Sequence, residues 1–385
     1  MALFEMRKFV APEFIFGVGA RHRAAFYAKN LAAKRVFVVT DPGVVAAGWL
    51  DGLLADLDQE GIDATVFQGV TPNPKDYEVM AGAEAYRQAG SDVLIALGGG
   101  SVIDCAKGIG IVATNQGQIS DFEGVDAIAL PGPPLICIPT TAGSAADISQ
   151  FAIIVDTPRR TKIAIISKTV VPDVALVDPE TTLTMDPYLT ACTGLDALTH
   201  AIEAFVSTAS SPVVDVHALA GITGVQQNLL TAVGNPGDLE AREKMMLASL
   251  QAGLAFSNAS LGAVHAMSHS IGGFLGLPHG ETNALLLEHV IDFNYPAAEA
   301  RFQKIGEALG VPMRGRRPAD GRRAILEEVR RLRTAAGIEN GLASRGLRSD
   351  ALHELSENAI RDACIYTNPR RINVADIEVI YAESL

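Results

Sequence analysis

The chain holds only four cysteines among 385 residues. Cys105, Cys137, Cys192 and Cys364 are scattered, with no CxxC pair among them. That spacing offers no disulfide framework and reads as reduced core residues of a cytoplasmic protein. Long apolar runs are also missing. None approaches the roughly 20 residues that a membrane helix needs, so no membrane partner is expected. The opening Met-Ala-Leu-Phe-Glu-Met-Arg-Lys-Phe is interrupted by an acid and leads into no apolar stretch, unlike a secretory signal. Positive charge is scarce: 31 Lys and Arg face 44 Asp and Glu, a net charge of −13. General nucleic-acid binding is disfavoured on that ground. The one basic concentration runs from Arg314 to Arg333. It carries Ile325, Val329 and Leu332 at helical spacing and reads as the solvated face of an amphipathic helix. Repeats and low-complexity segments are absent.

What is present suffices for two domains with sizeable cores: 48% of residues are hydrophobic and 19% charged. The first half alternates β-type runs (35–40, 64–67, 92–97, 135–138, 174–177) with helical patterns (48–60, 77–89). Phe151–Val155 reads as a hairpin arm. This alternation predicts a parallel, doubly wound sheet. From about Asp186 the texture turns to long helical patterns. The expectation is an α/β nucleotide-binding domain over 1–187 and an all-helical domain over 188–385.

Strand 92–97 runs into Gly98-Gly99-Gly100-Ser101 and then a helix. Glycines let backbone approach a ligand without a Cβ clash, and the new helix aims free N–H groups and its positive dipole end at that point. These are the parts of a pyrophosphate site. The run is neither GxGxxG nor a Walker loop. The competing reading is a plain glycine turn with Ser101 as N-cap. Asp41 follows strand 35–40, where a carboxylate can accept from an adenosine ribose and repel a 2′-phosphate, favouring NAD over NADP. Its alternative role is an Asx turn. Pro139-Thr140-Thr141-Ala142-Gly143 follows strand 135–138, again at a strand end where open α/β sheets bind ligands.

Metal-type ligands gather in the helical half. Asp196 and His200 are four residues apart, on one face of one helix. His265 and His269 repeat that spacing, and His279 follows between Pro278 and Gly280. One carboxylate with three imidazoles makes an N/O site for a divalent metal such as Fe(II) or Zn(II). The competing reading is a buried network of satisfied histidines.

With these motifs in order, the chain resembles the iron-containing (group III) alcohol dehydrogenases along nearly its whole length. The matching segments are TPNP at 71–74, GGGSVIDCAK at 98–107, IPTTAGS at 138–144, PDVALVDPE at 172–180, TGLDALTHAIEAFVS at 193–207, HAMSHSIGG at 265–273, PHGETNALLL at 278–287 and TNPR at 367–370. The resemblance implies a Rossmann-like α/β domain, a helical domain and an active site between them. It implies Asp196, His200, His265 and His279 as metal ligands. It places His269 in the cleft near the nicotinamide, as a catalytic proton relay. It assigns NAD contacts to Asp41, Asn73, Gly98, Gly99, Gly100, Ser101, Asp104, Thr140, Thr141, Ser149 and Lys162. Phe151, Phe256, Leu261 and Cys364 are the implied lining of a substrate pocket. Their apolar character favours small unbranched primary alcohols and aldehydes over glycerol and sugars. The implied metal is Fe(II), with Zn(II) the alternative, and the implied assembly is a homodimer. One departure stands out: many members continue the Thr-Thr-Ala-Gly loop with Thr-Gly-Ser-Glu, whereas this chain reads Ser144-Ala145-Ala146-Asp147.

Two other classes compete. A dehydroquinate-synthase-like lyase would need basic residues near the metal for a phosphorylated substrate, and the helices around Asp196 and His265 offer almost none. A non-catalytic nucleotide- or metal-binding regulator would not need every ligand and glycine intact. NADH absorbance with a primary alcohol separates both from a dehydrogenase.

Overall fold

The β-branched runs of the first half pair into one parallel sheet. A computed structural model describes residues 6–385. Its first unit spans Ala11–Met185. The strands are β1 (Glu13–Phe16), β2 (Arg35–Val39), β3 (Asp63–Phe67), β4 (Val93–Gly98), β5 (Gly124–Val125), β6 (Leu135–Pro139), β7 (Phe151–Asp156), β8 (Thr161–Ile166) and β9 (Val174–Val177). Six of them form a sheet in the order β1-β9-β6-β4-β2-β3, with every neighbouring pair parallel. The hairpin arm expected at 151–155 is β7; it pairs antiparallel with β8, which has β5 on its other edge.

Helices α1 (Ala24–Asn30), α2 (Pro42–Ala46), α3 (Trp49–Gln59), α4 (Asp76–Ala89) and α5 (Gly100–Thr114) connect the strands. The period-2 alternation of strand side chains decides which helix meets which face. Val36 and Val38 of β2, with Ile95 and Leu97 of β4, pack against Ala24 and Ala28 of α1 and Leu50, Leu53 and Leu57 of α3. Phe37, Val39, Leu94 and Ala96 point the other way, onto Val79 and Ala83 of α4 and Val102 and Ile109 of α5. Helices on both faces make the sheet doubly wound. Both faces are dry, so the inner strands read as continuous apolar runs.

The second unit comprises residues 6–10 and Asp186–Leu385. It begins where Asp186 caps α6 (Pro187–Val206), its carboxylate accepting from Leu189 N at 2.8 Å with Pro187 in the first turn. Next come α7 (Pro212–Gly234), α8 (Leu239–Ala259), α9 (Ala263–Leu275), α10 (His279–Asn294), α11 (Glu299–Ala308), α12 (Pro318–Ala335), α13 (Leu352–Ala359) and α14 (Val374–Glu383). At Gly221 a Cβ would stand 3.2 Å from Ala252 N and 3.3 Å from Ala201 Cβ, so α6, α7 and α8 meet there without a side chain between them. The arginine-rich stretch forms α12: Ile325, Val329 and Leu332 are buried, while Arg331 pairs with Glu328 and Arg323 with Asp320 at the surface.

Candidate functional site

Three helix segments carry the metal-type ligands. Asp196 and His200 share one face of α6, His265 and His269 sit on α9, and His279 opens α10. Gly280 lets α10 start hard against α6. A Cβ there would lie 2.7 Å from the carbonyl carbon of Cys192 and closer still to its oxygen. That approach brings His279 Nε2 to 3.9 Å from Asp196 Oδ1. His265 Nε2 lies 3.7 Å and His200 Nε2 3.9 Å from the same oxygen. A tetrahedral site with bonds of about 2.0–2.2 Å has ligand-to-ligand edges of roughly 3.3–3.6 Å, so a small contraction closes the set. The ligand atoms of Asp196, His265 and His279 all lie within 4.8 Å of one another. His200 joins through Asp196, its ring stacked between Phe256 at 4.3 Å and His265 at 4.6 Å.

Asn283, one turn into α10, reports where these lone pairs point. Its Nδ2 donates to Asp196 Oδ1 at 2.7 Å and faces Nε2 of His265 at 3.1 Å and of His279 at 3.2 Å. One carboxylate oxygen and two imidazole nitrogens thus converge on one point. The buried Asn283 Oδ1 has no hydrogen-bond partner among the described residues, so the amide is held through its Nδ2 alone. Glu203 sets the tautomer of His265. Its Oε2 lies 2.6 Å from His265 Nδ1, and a carboxylate accepts, so Nδ1 carries a proton and Nε2 is the nitrogen left to face a metal. The other carboxylate oxygen accepts from Val264 N at 2.7 Å, at the positive end of α9. Such outer carboxylates commonly orient metal-binding imidazoles.

Electrostatics favour a cation here. Burial works against charge on His265, yet hydrogen bonds to Asp196 and Glu203 push its pKa up to about 9. Burial alone would raise the Asp196 carboxyl. The imidazoles of His200, His279 and His265 overturn this and hold it well below the usual carboxylate range. A divalent cation would supply that positive charge while leaving the imidazoles neutral. The donor set fits a metal. His269 Nδ1 lies 2.7 Å from Asp362 Oδ2 and therefore also carries its proton, and the His269 ring stacks on His279 at 5.2 Å.

Of the expected pocket residues, Phe256 stacks on His200 as described. Leu261 is buried and its carbonyl accepts from Thr367 Oγ1 at 2.6 Å. Cys364 is buried in the turn 363–367. Phe151 belongs to the α/β unit, at the start of β7.

The expected cofactor residues all lie in the α/β unit. β4 ends at Gly98, and α5 starts at Gly100 with Gly99 as N-cap and no side chain capping it. Ser101 is not the cap; its Oγ accepts from Asn73 N at 3.1 Å, with Asn73 in the left-handed region at φ 57°. A Cβ on Gly98 would collide with Val102 at 2.5 Å, one on Gly99 would press on Thr141 at 3.0 Å, and one on Gly100 would meet Ser144 Oγ at 2.6 Å. Thr140 N donates to Gly98 O at 3.0 Å, holding the 140–144 loop beside the turn. Asp41 caps α2, accepting from Val44 N at 2.9 Å through one oxygen.

Asp104 lies deeper, pushed up to about 7 by burial against the pull of Lys107 and Lys162. Lys107 Nζ donates to Ser149 O at 2.8 Å and Phe151 O at 2.7 Å, fixing the segment before β7. Lys162 is buried on β8. The departing loop carries a backbone oddity: Ala145 adopts φ 46°, where a glycine would be unstrained.

Comparison with known proteins gives the family. Residues 11–179 match the model of iron-containing alcohol dehydrogenases, and residues 190–385 match that of the Fe-containing alcohol dehydrogenase family, C-terminal part. The chain is 41% identical over 380 residues to alcohol dehydrogenase 4 of Schizosaccharomyces pombe, covering 98% of this chain and 89% of that one. It is 36% identical to the NAD-dependent methanol dehydrogenase of Bacillus methanolicus, covering 98% and 99%. A solved 1,3-propanediol oxidoreductase superposes with a TM-score of 0.95 at 36% identity, over 99% of this chain and 100% of that one. The chain belongs to the iron-containing alcohol dehydrogenase family.

Sequence reasoning missed Glu203, Asn283 and Asp362. Glu203 had a signal: it lies three residues after His200 and seven after Asp196, on the same helix face. Asn283, four residues after His279, had the same one. Asp362 had none, since 93 residues separate it from His269.

Proposed function

We propose that this chain moves hydride reversibly between NAD(H) and small primary alcohols or aldehydes, with Asp196, His200, His265 and His279 holding a divalent metal. The observation that carries the reading is the convergence of Asp196 Oδ1, His265 Nε2 and His279 Nε2 on a single point. Fe(II) follows from the family, and Zn(II) suits the same N/O donors. Bound there, the metal supplies Lewis-acid stabilisation of charge on the substrate oxygen.

The protein's own groups do the rest. Glu203 keeps the His265 lone pair on Nε2. Asp362 holds His269 with its proton on Nδ1, leaving Nε2 able to take the alcohol proton and pass it on. The uncapped start of α5, behind Gly98, Gly99 and Gly100, receives the pyrophosphate of NAD, with Ser101, Asn73, Thr140 and Thr141 around it. Ser149 and Lys162 complete the cofactor contacts, and Asp104 supports them through the Lys107 network. Asp41 spends one carboxylate oxygen on its helix cap and keeps the other for the ribose. It therefore selects NAD over NADP. Phe256 and Leu261 of the helical unit are the apolar groups offered to the substrate, with Cys364 packed behind them; Phe151 is the apolar candidate in the α/β unit. Each added methylene gains roughly 0.8 kcal/mol against such groups, while an unpaired hydroxyl costs about 1–3 kcal/mol. Butanol is then preferred over glycerol or a propanediol. The working form is a cytoplasmic homodimer.

The test is NADH formation by metal-loaded protein across a series from ethanol to butanol, with glycerol and 1,3-propanediol alongside. No NADH from any alcohol contradicts the function. A higher kcat/KM for glycerol or 1,3-propanediol than for butanol contradicts the apolar pocket.

A further inference from the structure

A second cluster of ligand-type groups lies beside the first and shares no residue with it. One ligand-type atom from each of His269, Asp362 and Cys364 lies within 4.8 Å of the other two. Asp362 is the hub. Its Oδ2 accepts from His269 Nδ1 at 2.7 Å, and its Oδ1 accepts from Cys364 N at 2.8 Å. Cys364 has no exposed surface, and it sits in the short turn Ala363–Thr367. Among the described residues, no other cysteine belongs to such a cluster.

We propose that His269, Asp362 and Cys364 form a second, inhibitory metal site for thiophilic divalent cations such as Zn(II) and Cd(II). A thiolate, an imidazole and a carboxylate suit these ions, whereas Mg(II), Mn(II) and Ca(II) favour oxygen ligands. One thiolate and one carboxylate balance the charge of a dication, so the buried complex is neutral. Burial pushes the Cys364 thiol well up, so only a metal with a strong thiolate bond displaces its proton.

Binding proceeds without redox change. The Cys364 S–H bond breaks, its proton leaves to solvent, and a sulfur–metal bond forms. His269 moves its proton from Nδ1 to Nε2 as Nδ1 takes the metal. Asp362 exchanges its bond to His269 for a bond to the metal. The 2.7 Å separation of Nδ1 and Oδ2 widens toward the edge of a coordination tetrahedron. The segment reaches the surface: Tyr366, two residues after Cys364, is 78% exposed. Once bound, the ion turns His269 Nε2 from an acceptor into a donor. The inhibitory consequence rests on His269 acting as the proton relay; the binding itself does not.

The test uses holoenzyme that retains its resident metal, with Cd(II) alone as the added ion. Bound cadmium per chain and the ultraviolet thiolate-to-cadmium charge-transfer band are followed together. Wild-type protein should take up one extra equivalent and develop the band. Cys364→Ser should lose both, Asp362→Asn should bind at least about tenfold more weakly, and Cys137→Ala should behave as wild type. Cadmium exchanging into the Asp196 set would give no thiolate band, because that set contains no sulfur. Absence of the band in wild type, or its persistence in Cys364→Ser, overturns the site. If Cys364→Ser does not fold, unchanged affinity in Asp362→Asn overturns it instead. Excess Zn(II) should slow wild-type turnover. A band without any slowing overturns the inhibitory role.

Discussion

Replacing Gly280 by alanine adds one methyl group at the point where α10 begins against α6. The new Cβ would lie 2.7 Å from the Cys192 carbonyl carbon, with that carbonyl's oxygen nearer still. Both atoms are backbone, so no side chain can rotate away. Restoring an ordinary contact of 3.4 Å requires the two helices to part by at least about 0.7 Å. Overpacking of this kind costs roughly 1–3 kcal/mol of stability. The larger consequence falls on the ligands. His279 precedes the altered position and Asp196 lies one turn after Cys192, so the 3.9 Å between them widens by a similar amount. Metal sites tolerate distance errors of about 0.2 Å, so the expected loss of metal affinity is tenfold or more. The assay is metal per chain by elemental analysis after dialysis against graded chelator, with far-ultraviolet circular dichroism to confirm helix content. A Gly280→Ala protein that folds, unfolds at the wild-type temperature and keeps wild-type metal affinity would refute the reasoning.

Three further outcomes follow from other parts of the structure. Glu203→Gln replaces the acceptor that fixes His265, and should weaken metal binding by about 10–100-fold in the same dialysis assay, with Glu203→Asp intermediate; unchanged affinity in Glu203→Gln would show that the tautomer is set elsewhere. Ala145→Gly relieves a non-glycine residue at φ 46°. The relief is about 1 kcal/mol, partly offset by the freedom of glycine in the unfolded chain, so the urea midpoint should rise, and a fall would contradict the strain. Asp41→Gly removes the carboxylate proposed to meet the ribose 2′-position and should raise kcat/KM with NADP relative to NAD; equal use of both cofactors by the unmodified protein would remove Asp41 as the selector.

Much of this architecture was legible in the sequence because the signals were local. Val174–Val177 forms a strand with the expected bounds, and β2, β3 and β4 lie within one residue of theirs at each end. β2 and β4 show the continuous apolar runs of strands buried on both faces, and β3, at the sheet edge, is largely exposed. The edge strand β1 was not read: Glu-Phe-Ile-Phe is short, half exposed and without alternation. β8 was also missed, because Thr-Lys-Ile-Ala-Ile-Ile carries a buried lysine in its second position. Asp196 with His200, and His265 with His269, could be picked out because helical spacing announces a shared face; His279 stood out between Pro278 and Gly280, and the four-ligand set came from the family resemblance. Ser101, weighed as a helix cap, instead receives Asn73 N, a contact 28 residues away that spacing does not show. Asp362 is invisible for the same reason. Its role exists only because the turn after α13 folds back onto α9.

In the proposed function, turnover depends on a metal held by the Asp196, His200, His265 and His279 set. The most direct measurement is NADH formation from butanol against metal bound per chain, as metal-free protein is titrated separately with Fe(II) and Zn(II). Activity should rise with occupancy and stop rising at one metal per chain for the activating ion, and His265→Ala should show neither tight binding nor turnover. Full activity in metal-free protein, or in His265→Ala, would contradict the account.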